Sequence, residues 1–415
     1  MDSKSANKLK HFIGILIVAF GGAIIYGLPY FRYDYYDAYL QVYNLTDTQM
    51  GVFGSILGVF GMVSYLFGGI VADRFSARTI LTVSLIGTGL GGFVHLLPLN
   101  FTMLVCLYAF WGVSSLFAFW PCCVKAVRML SESDSQGKAF GFFEGGRGVA
   151  AALMAMGAVL AYKLGIGQIN DQVQGMKYAI IFYSVLTILL GIITFFAVKD
   201  EKMEQSDRVT FHGIGELLKM PSVWIVGFLT FFTYMFTQLF YYFTPYMTEI
   251  LGASVTIGAT LAASRRWFSL LGNVGGGVVT DKIGAGKMIF ISFIVIAAGV
   301  LAMILLPAEK DIIIPFIILY IAIYIFYNVN YAMTWALMDK GGIPERLSGS
   351  AAGLISTIGY LPEIFCSLMA GRILDSYEGT AGYKIIFSII IVSMLIGAAL
   401  TIVWKRVVER KKVGN

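Results

Sequence analysis

The stretch "GGIVADRFSAR", residues 68–78, closes one long apolar run, and "GGVVTDKIGAGK", residues 276–287, closes another half a chain later. In the first, Gly69 stands four residues before Asp73, with Arg74 and Arg78 behind it. In the second, Gly277 stands four residues before Asp281, with Lys282 behind it. A further echo lies in "GKAFG" from Gly137 and "GSAAG" from Gly349, again about half the chain apart. Two motif pairs at nearly the same offset are the mark of a tandem duplication, and duplicated sets of membrane helices are the usual architecture of secondary transporters.

The composition says what is duplicated. Of 415 residues, 58% are hydrophobic and 13% charged, against about 25% charged in a soluble protein. Apolar runs of about 20 residues, each able to cross a hydrocarbon core of roughly 30 Å as a helix, recur from end to end. The reading predicts twelve spans, at 11–32, 49–72, 79–98, 101–127, 138–163, 176–198, 221–248, 255–280, 288–307, 312–338, 348–371 and 383–404. The first run has no small-residue cleavage site behind it and is read as a retained helix. The longest polar segment, 199–220, bisects the chain into six-helix halves at 1–198 and 221–415.

With the N-terminus inside, most Lys and Arg fall in the connections on one side. Lys163, Lys177, Lys310, Arg372 and Lys384 fall on the other side, and Arg32, Arg147, Arg265 and Arg266 lie in or at the edge of spans. The positive-inside rule then puts both termini in the cytoplasm, with the protein integral to the cell membrane. The expected fold class is an all-α membrane protein of two pseudo-symmetric halves, acting as a monomer. The basic residues form no aromatic-laced patch, so nucleic acid is not expected as a partner. The four cysteines lie in apolar runs without metal-ligand spacing, and His11, His95 and His212 stand apart. Nothing resembles a nucleotide loop, a metal cluster or a nucleophile–base pair, so neither an enzyme nor a cofactor is expected.

Charges inside spans are costly, at least about 2.5 kcal/mol each, and therefore point to function. Glu144 and Arg147, in "GFFEGGRGVAA" at 141–151, are neighbours on one helical face. They read either as a self-neutralising structural pair or as a site that meets substrate and proton. Arg265 and Arg266 are consecutive and point about 100° apart, so one faces a cavity while the other packs or snorkels; Arg266 is taken as the cavity residue. Arg32 reads as a binding residue or as an interfacial anchor beside Asp34 and Asp37. Glu363 has no charged neighbour within four residues and must find a partner elsewhere or carry a proton, which makes it a proton-coupling candidate with Glu144. The aromatic residues read chiefly as interfacial belt and lipid-facing bulk.

With the two Gly-x-x-x-Asp motifs among twelve spans, the chain resembles the major facilitator superfamily. Residues 69–78 and 277–287 match its loop signature, with Ser76 and Ala77 departing from the usual Gly and Arg. The resemblance implies gating roles for Asp73, Arg74, Arg78, Asp281 and Lys282, whose ion pairs change as the halves rock. "WPCC" at 120–123 and "GSAAGLISTIGYL" at 349–361 are similar to the organophosphate transporters of the glycerol-3-phosphate and hexose-phosphate type. That branch holds phosphate with one arginine in span one, which Arg32 matches, and one in span seven, where this chain has Gln238 and tyrosines instead. Against the same branch, Arg147 replaces a pocket histidine, Glu144 an asparagine, Arg266 an interior glutamate and Glu363 a glycine.

The expected function is secondary active transport of a small organic anion, a sulfonate, carboxylate or phosphorylated sugar or polyol, by alternating access. Arg32, Arg147, Arg266, Gln238 and Tyr360 are expected at the substrate. A proton is the expected coupling ion, with exchange against a counter-anion as the alternative. The rival readings are a neutral-sugar or drug facilitator whose charges are structural, and a non-transporting membrane sensor.

Overall fold

In hydrocarbon every backbone N–H and C=O must be satisfied within its own segment, so apolar runs of this length fold as helices. The computed structural model describes residues 3–131, 136–167, 171–198, 214–343 and 347–409, and no strand occurs among them. The twelve long helices are α1 (Ser3–Ile24), α2 (Asp47–Arg74), α3 (Ala77–Val94), α4 (Phe101–Met129), α5 (Gln136–Ile166), α6 (Gln172–Ala197), α7 (Pro221–Ile250), α8 (Val255–Ile283), α9 (Ala285–Leu305), α10 (Ile313–Lys340), α11 (Ser348–Gly359 and Pro362–Ser376) and α12 (Thr380–Trp404). Among the described residues nine of these are long and apolar enough to cross a membrane, and α1 adds a shorter apolar stretch, His11–Ile24. The two that complete the twelve are α2 and α8, the helices that end in the duplicated motif. Large apolar side chains such as Phe196, Leu305 and Ile314 are 70–80% exposed, a surface suited to lipid and not to water.

Three spans differ from smooth helices, each for a local reason. The first apolar run ends at Ile24, not at 32, because Gly27 and Pro29 interrupt it. Gly27 meets the Tyr183 ring so closely that a Cβ would lie 2.6 Å from it. Two short helices follow, Phe31–Asp34 and Tyr36–Tyr43, the second closed by Asn44 at φ 50°. Within α4 a π-helical stretch, Gly112–Leu116, and a turn precede a restart at Phe119, which puts Pro121 in a first turn, where its missing N–H costs nothing. In α11 the break at Tyr360–Leu361 lies directly before Pro362, which starts the second segment.

Contacts sort the chain into two compact units. Unit 1 takes residues 1–45, 59–208 and 262–266; unit 2 takes 46–58, 209–261 and 267–415. The sequence linker lies largely on 199–213, outside the described residues. In unit 1, α3 packs on α6, and α1 on α5 and α6. Close approach depends on glycines: a Cβ on Gly89 would lie 2.6 Å from Ile188, and Gly92 faces Ser184.

In unit 2, α7 packs on α11 and α12, and α9 on α10 and α12. The first part of α2, up to Gly58, belongs here as well. Its Gly51 and Gly58 meet the backbone of α11, where a Cβ on Gly58 would lie 2.6 Å from the Glu363 carbonyl carbon. Gly371 of α11 meets Asp47 in turn, and the Asp375 carboxylate accepts from the Asp47 and Thr48 N–H groups at 3.0 and 2.8 Å. That is a side-chain cap on the start of α2, satisfying donors the helix itself leaves open.

Candidate functional site

Within unit 1 the charges predicted from sequence fall into three places. On α5, Arg147 donates through Nη2 and Nε to one oxygen of Glu144, at 2.8 and 3.1 Å. Two donors on one oxygen leave the rest of the guanidinium fork uncommitted to Glu144. The guanidinium also lies over the Trp120 ring, 4.8 Å from its centroid, so the restart of α4 supplies a cation–π platform. On the α1 side, Gly22 leaves space filled by Phe143 and the Arg147 stem. The two side chains remain 32% and 49% exposed. The pair balances its own charge near the start of the candidate span Gly141–Ile166.

A second cluster centres on Asp34. Arg265 donates from Nη2 to Asp34 Oδ1 at 3.0 Å and from Nε to the Ala262 carbonyl at 2.9 Å. Arg266 approaches the other oxygen more loosely, at 3.9 Å, and its side chain is 31% exposed against 9% for Arg265. The consecutive arginines thus divide as their helical spacing requires, one packed and bonded, one more open.

Arg32 is fully buried. Its Nη1 donates to the Pro29 carbonyl at 2.9 Å, and its guanidinium lies 4.0 Å from the Tyr33 centroid and 5.2 Å from that of Tyr108. Nε and Nη2 are buried without a hydrogen-bond acceptor among the described residues. The Tyr108 hydroxyl continues inward to Tyr39, which meets His95 Nε2 at 2.8 Å. His95, read from sequence as isolated, is in fact wholly buried and wedged against Trp111. Its partners Tyr39 and Tyr43 are too distant in sequence for any local pattern to reveal them.

Unit 2 has a different chemistry. Glu363 sits in the first turn of the restarted α11, where the free N–H groups of a helix favour an acid. It is buried, and its Oε2 accepts from the Tyr234 hydroxyl at 2.9 Å. Its partners thus include a tyrosine of α7. The Tyr234 ring packs edge-on against Tyr360, whose hydroxyl meets that of Tyr331 at 2.8 Å. Beside them Thr237 donates to the Tyr327 hydroxyl at 2.7 Å, and Thr233 to Asn330 at 2.9 Å. Gln238 is buried, and its Oε1 finds no donor among the described residues.

The residues for which the resemblance implies gating are described in part. Arg74 and Lys282 are exposed, and Arg78 lies over the Phe195 ring at 4.8 Å. The side chains of Asp73 and Asp281 lie outside the described part of the structure. Lys125 is a residue the sequence reading passed over. It is buried on α4, and its ammonium donates to the Ala72 and Phe75 carbonyls at 2.7 and 3.1 Å. A cation at the carbonyl end of α2 satisfies acceptors and complements the helix dipole.

Known proteins place the chain more firmly. Residues 11–365 match the Major Facilitator Superfamily. The chain is 30% identical over 404 residues to the inner membrane protein YihN of Escherichia coli, covering 94% of each. It is 24% identical over 278 residues to a Thermus thermophilus protein named a probable nitrate/nitrite antiporter, NarK1, covering 63% of this chain and 60% of that one. Among solved structures, the nucleoside transporter NupG superposes with a TM-score of 0.73 over 95% of this chain and 98% of that one; at 12% identity this likeness is one of fold. A matched family pattern over most of the length, a 30% identical relative and a twelve-helix fold agree: the chain is a multi-pass membrane protein that belongs to the Major Facilitator Superfamily.

Proposed function

We propose that the protein is a secondary active transporter that moves a small organic anion together with a proton, both termini facing the cytoplasm. The observation that carries this reading is Arg147. It is a guanidinium within a span, held by an acid one turn away, stacked on Trp120, and still about one-third exposed. An anion with two or three oxygens can take the uncommitted edge of that fork, since a planar guanidinium matches carboxylate, sulfonate and phosphate alike. An anion docked there competes with Glu144 for the guanidinium; where it draws Arg147 away, a proton on the Glu144 carboxyl takes the place of the lost cation, so anion and proton load together. Arg266 and Arg32 add positive charge to the same unit, while Glu363, bonded to Tyr234, is a second carboxyl for the coupling proton. Within unit 2, Gln238 and Tyr360 are the candidate uncharged contacts for solute.

The spelling of "WPCC" and "GSAAGLISTIGYL" supports a substrate of the phosphorylated sugar or polyol kind. The likeness to a protein named for nitrate and nitrite supports an anion more generally. The test is counterflow in proteoliposomes with a panel of phosphorylated, sulfonated and carboxylated compounds beside neutral sugars and nucleosides. The proposal expects at least one anion to exchange and the neutral compounds to fail. Exchange of neutral solutes alone would leave the charges as structure.

A further inference from the structure

At the end of unit 2 where α9 begins and α10 and α12 finish lies a cavity of about 530 Å³. Three lysines line it, one from each helix: Lys287 in the first turn of α9, Lys340 as the last residue of α10, and Lys405 just past α12. All three are exposed, and no acidic residue lines the cavity among the described residues. The floor is the Gly284–Gly286 turn, and α9 starts from Gly284 with no side-chain cap on its first N–H groups. The walls are apolar, built from Phe290, Ile402 and the fully buried Trp404.

These features describe two needs in one ligand. Three ammonium groups and an uncapped helix start want a phosphate-like anion. The apolar walls lie along the ends of membrane-crossing helices and want a hydrocarbon chain. A soluble phosphate would use the first and waste the second. The level is also right: α9 opens its candidate span at Ala285, and the span of α12 closes within the turn after it, at Val408, which puts the lysines at the boundary between hydrocarbon and headgroup. We infer that this cavity is a binding site for one anionic phospholipid, its phosphate held by Lys287, Lys340 and Lys405 and an acyl chain lying against Phe290 and Ile402. Basic pockets between helix ends bind anionic headgroups on the same principle, each lysine contributing through its nearness to the phosphate. The site stands within unit 2 alone and is independent of which solute the protein carries.

The experiment is native mass spectrometry of the full-length protein in detergent, titrated with dioleoyl phosphatidylglycerol or dioleoyl phosphatidylcholine. Wild type is expected to retain one phosphatidylglycerol with at least about tenfold preference over phosphatidylcholine. The variant Lys287→Gln/Lys340→Gln/Lys405→Gln is expected to lose that preference, while Lys163→Gln/Lys177→Gln/Lys384→Gln, of equal charge, keeps it. The single exposed change Lys340→Gln, which threatens folding least, should reduce the preference part-way. Equal retention by wild type and the first variant would overturn the proposal. So would displacement of the lipid by millimolar inorganic phosphate, which would mark a site for a soluble anion.

Discussion

The two units differ in the charged side chains they hold. Unit 1 holds guanidinium groups: Arg147 against Glu144, Arg265 and Arg266 around Asp34, Arg32 among tyrosine rings. Unit 2 holds a carboxyl and hydroxyls: Glu363 with Tyr234, Tyr360 with Tyr331, Thr233 with Asn330. A guanidinium keeps its proton at any physiological pH, so it suits a fixed anion contact. A carboxyl can take and release one, so it suits coupling. The contrast predicts that loss of Glu363 uncouples transport while loss of Arg147 removes the substrate.

The largest effect is expected at Glu363. Glu363→Gln should abolish accumulation driven by a pH gradient yet leave counterflow of the same anion, which needs no net proton movement; loss of both would make Glu363 a binding or structural residue. Arg147→Ala should weaken substrate affinity on the order of 10- to 100-fold, the cost of removing a charged hydrogen-bond partner. Size-exclusion behaviour and melting temperature should stay near wild type. Unchanged affinity in a binding titration would reduce the α5 pair to structure and erase the contrast.

Smaller effects test the frame that holds Glu363. Gly58→Val places branched carbons where even a Cβ would lie 2.6 Å from the Glu363 carbonyl carbon. Overpacking of this kind costs about 1–3 kcal/mol, read as a lower melting temperature with proton-driven uptake falling before counterflow does. Asp375→Ala removes the cap on α2 and should cost about 0.5–2 kcal/mol, with little change in which solute is carried.

The sequence made the fold legible because hydrocarbon enforces it. Span after span of apolar residues must be helical, and the motif ending at Asp73 and at Asp281 exposed the duplication. Breaks were legible afterwards in Gly27, Pro29 and Pro362, though the apolar run through them hid the end of α1. Local pairs could be read as well: Glu144 and Arg147 meet because they are three residues apart on one helix. Partners on other helices could not. Tyr234 lies on a different helix from Glu363, Asp34 is remote in sequence from Arg265, and His95 finds Tyr39 through tertiary packing alone. Lys125 was counted merely as a charge on one side of the membrane, since no spacing rule shows that its stem is buried and its ammonium turned to the end of α2.

The most direct measurement is proton movement itself. In proteoliposomes with no imposed gradient, an external pH electrode follows the medium as a transported anion is added while radiolabel follows its entry. The account predicts that the medium turns alkaline in step with influx in wild type and that Glu363→Gln stops both. Influx with no pH change, or influx that requires a counter-anion loaded inside, would contradict it.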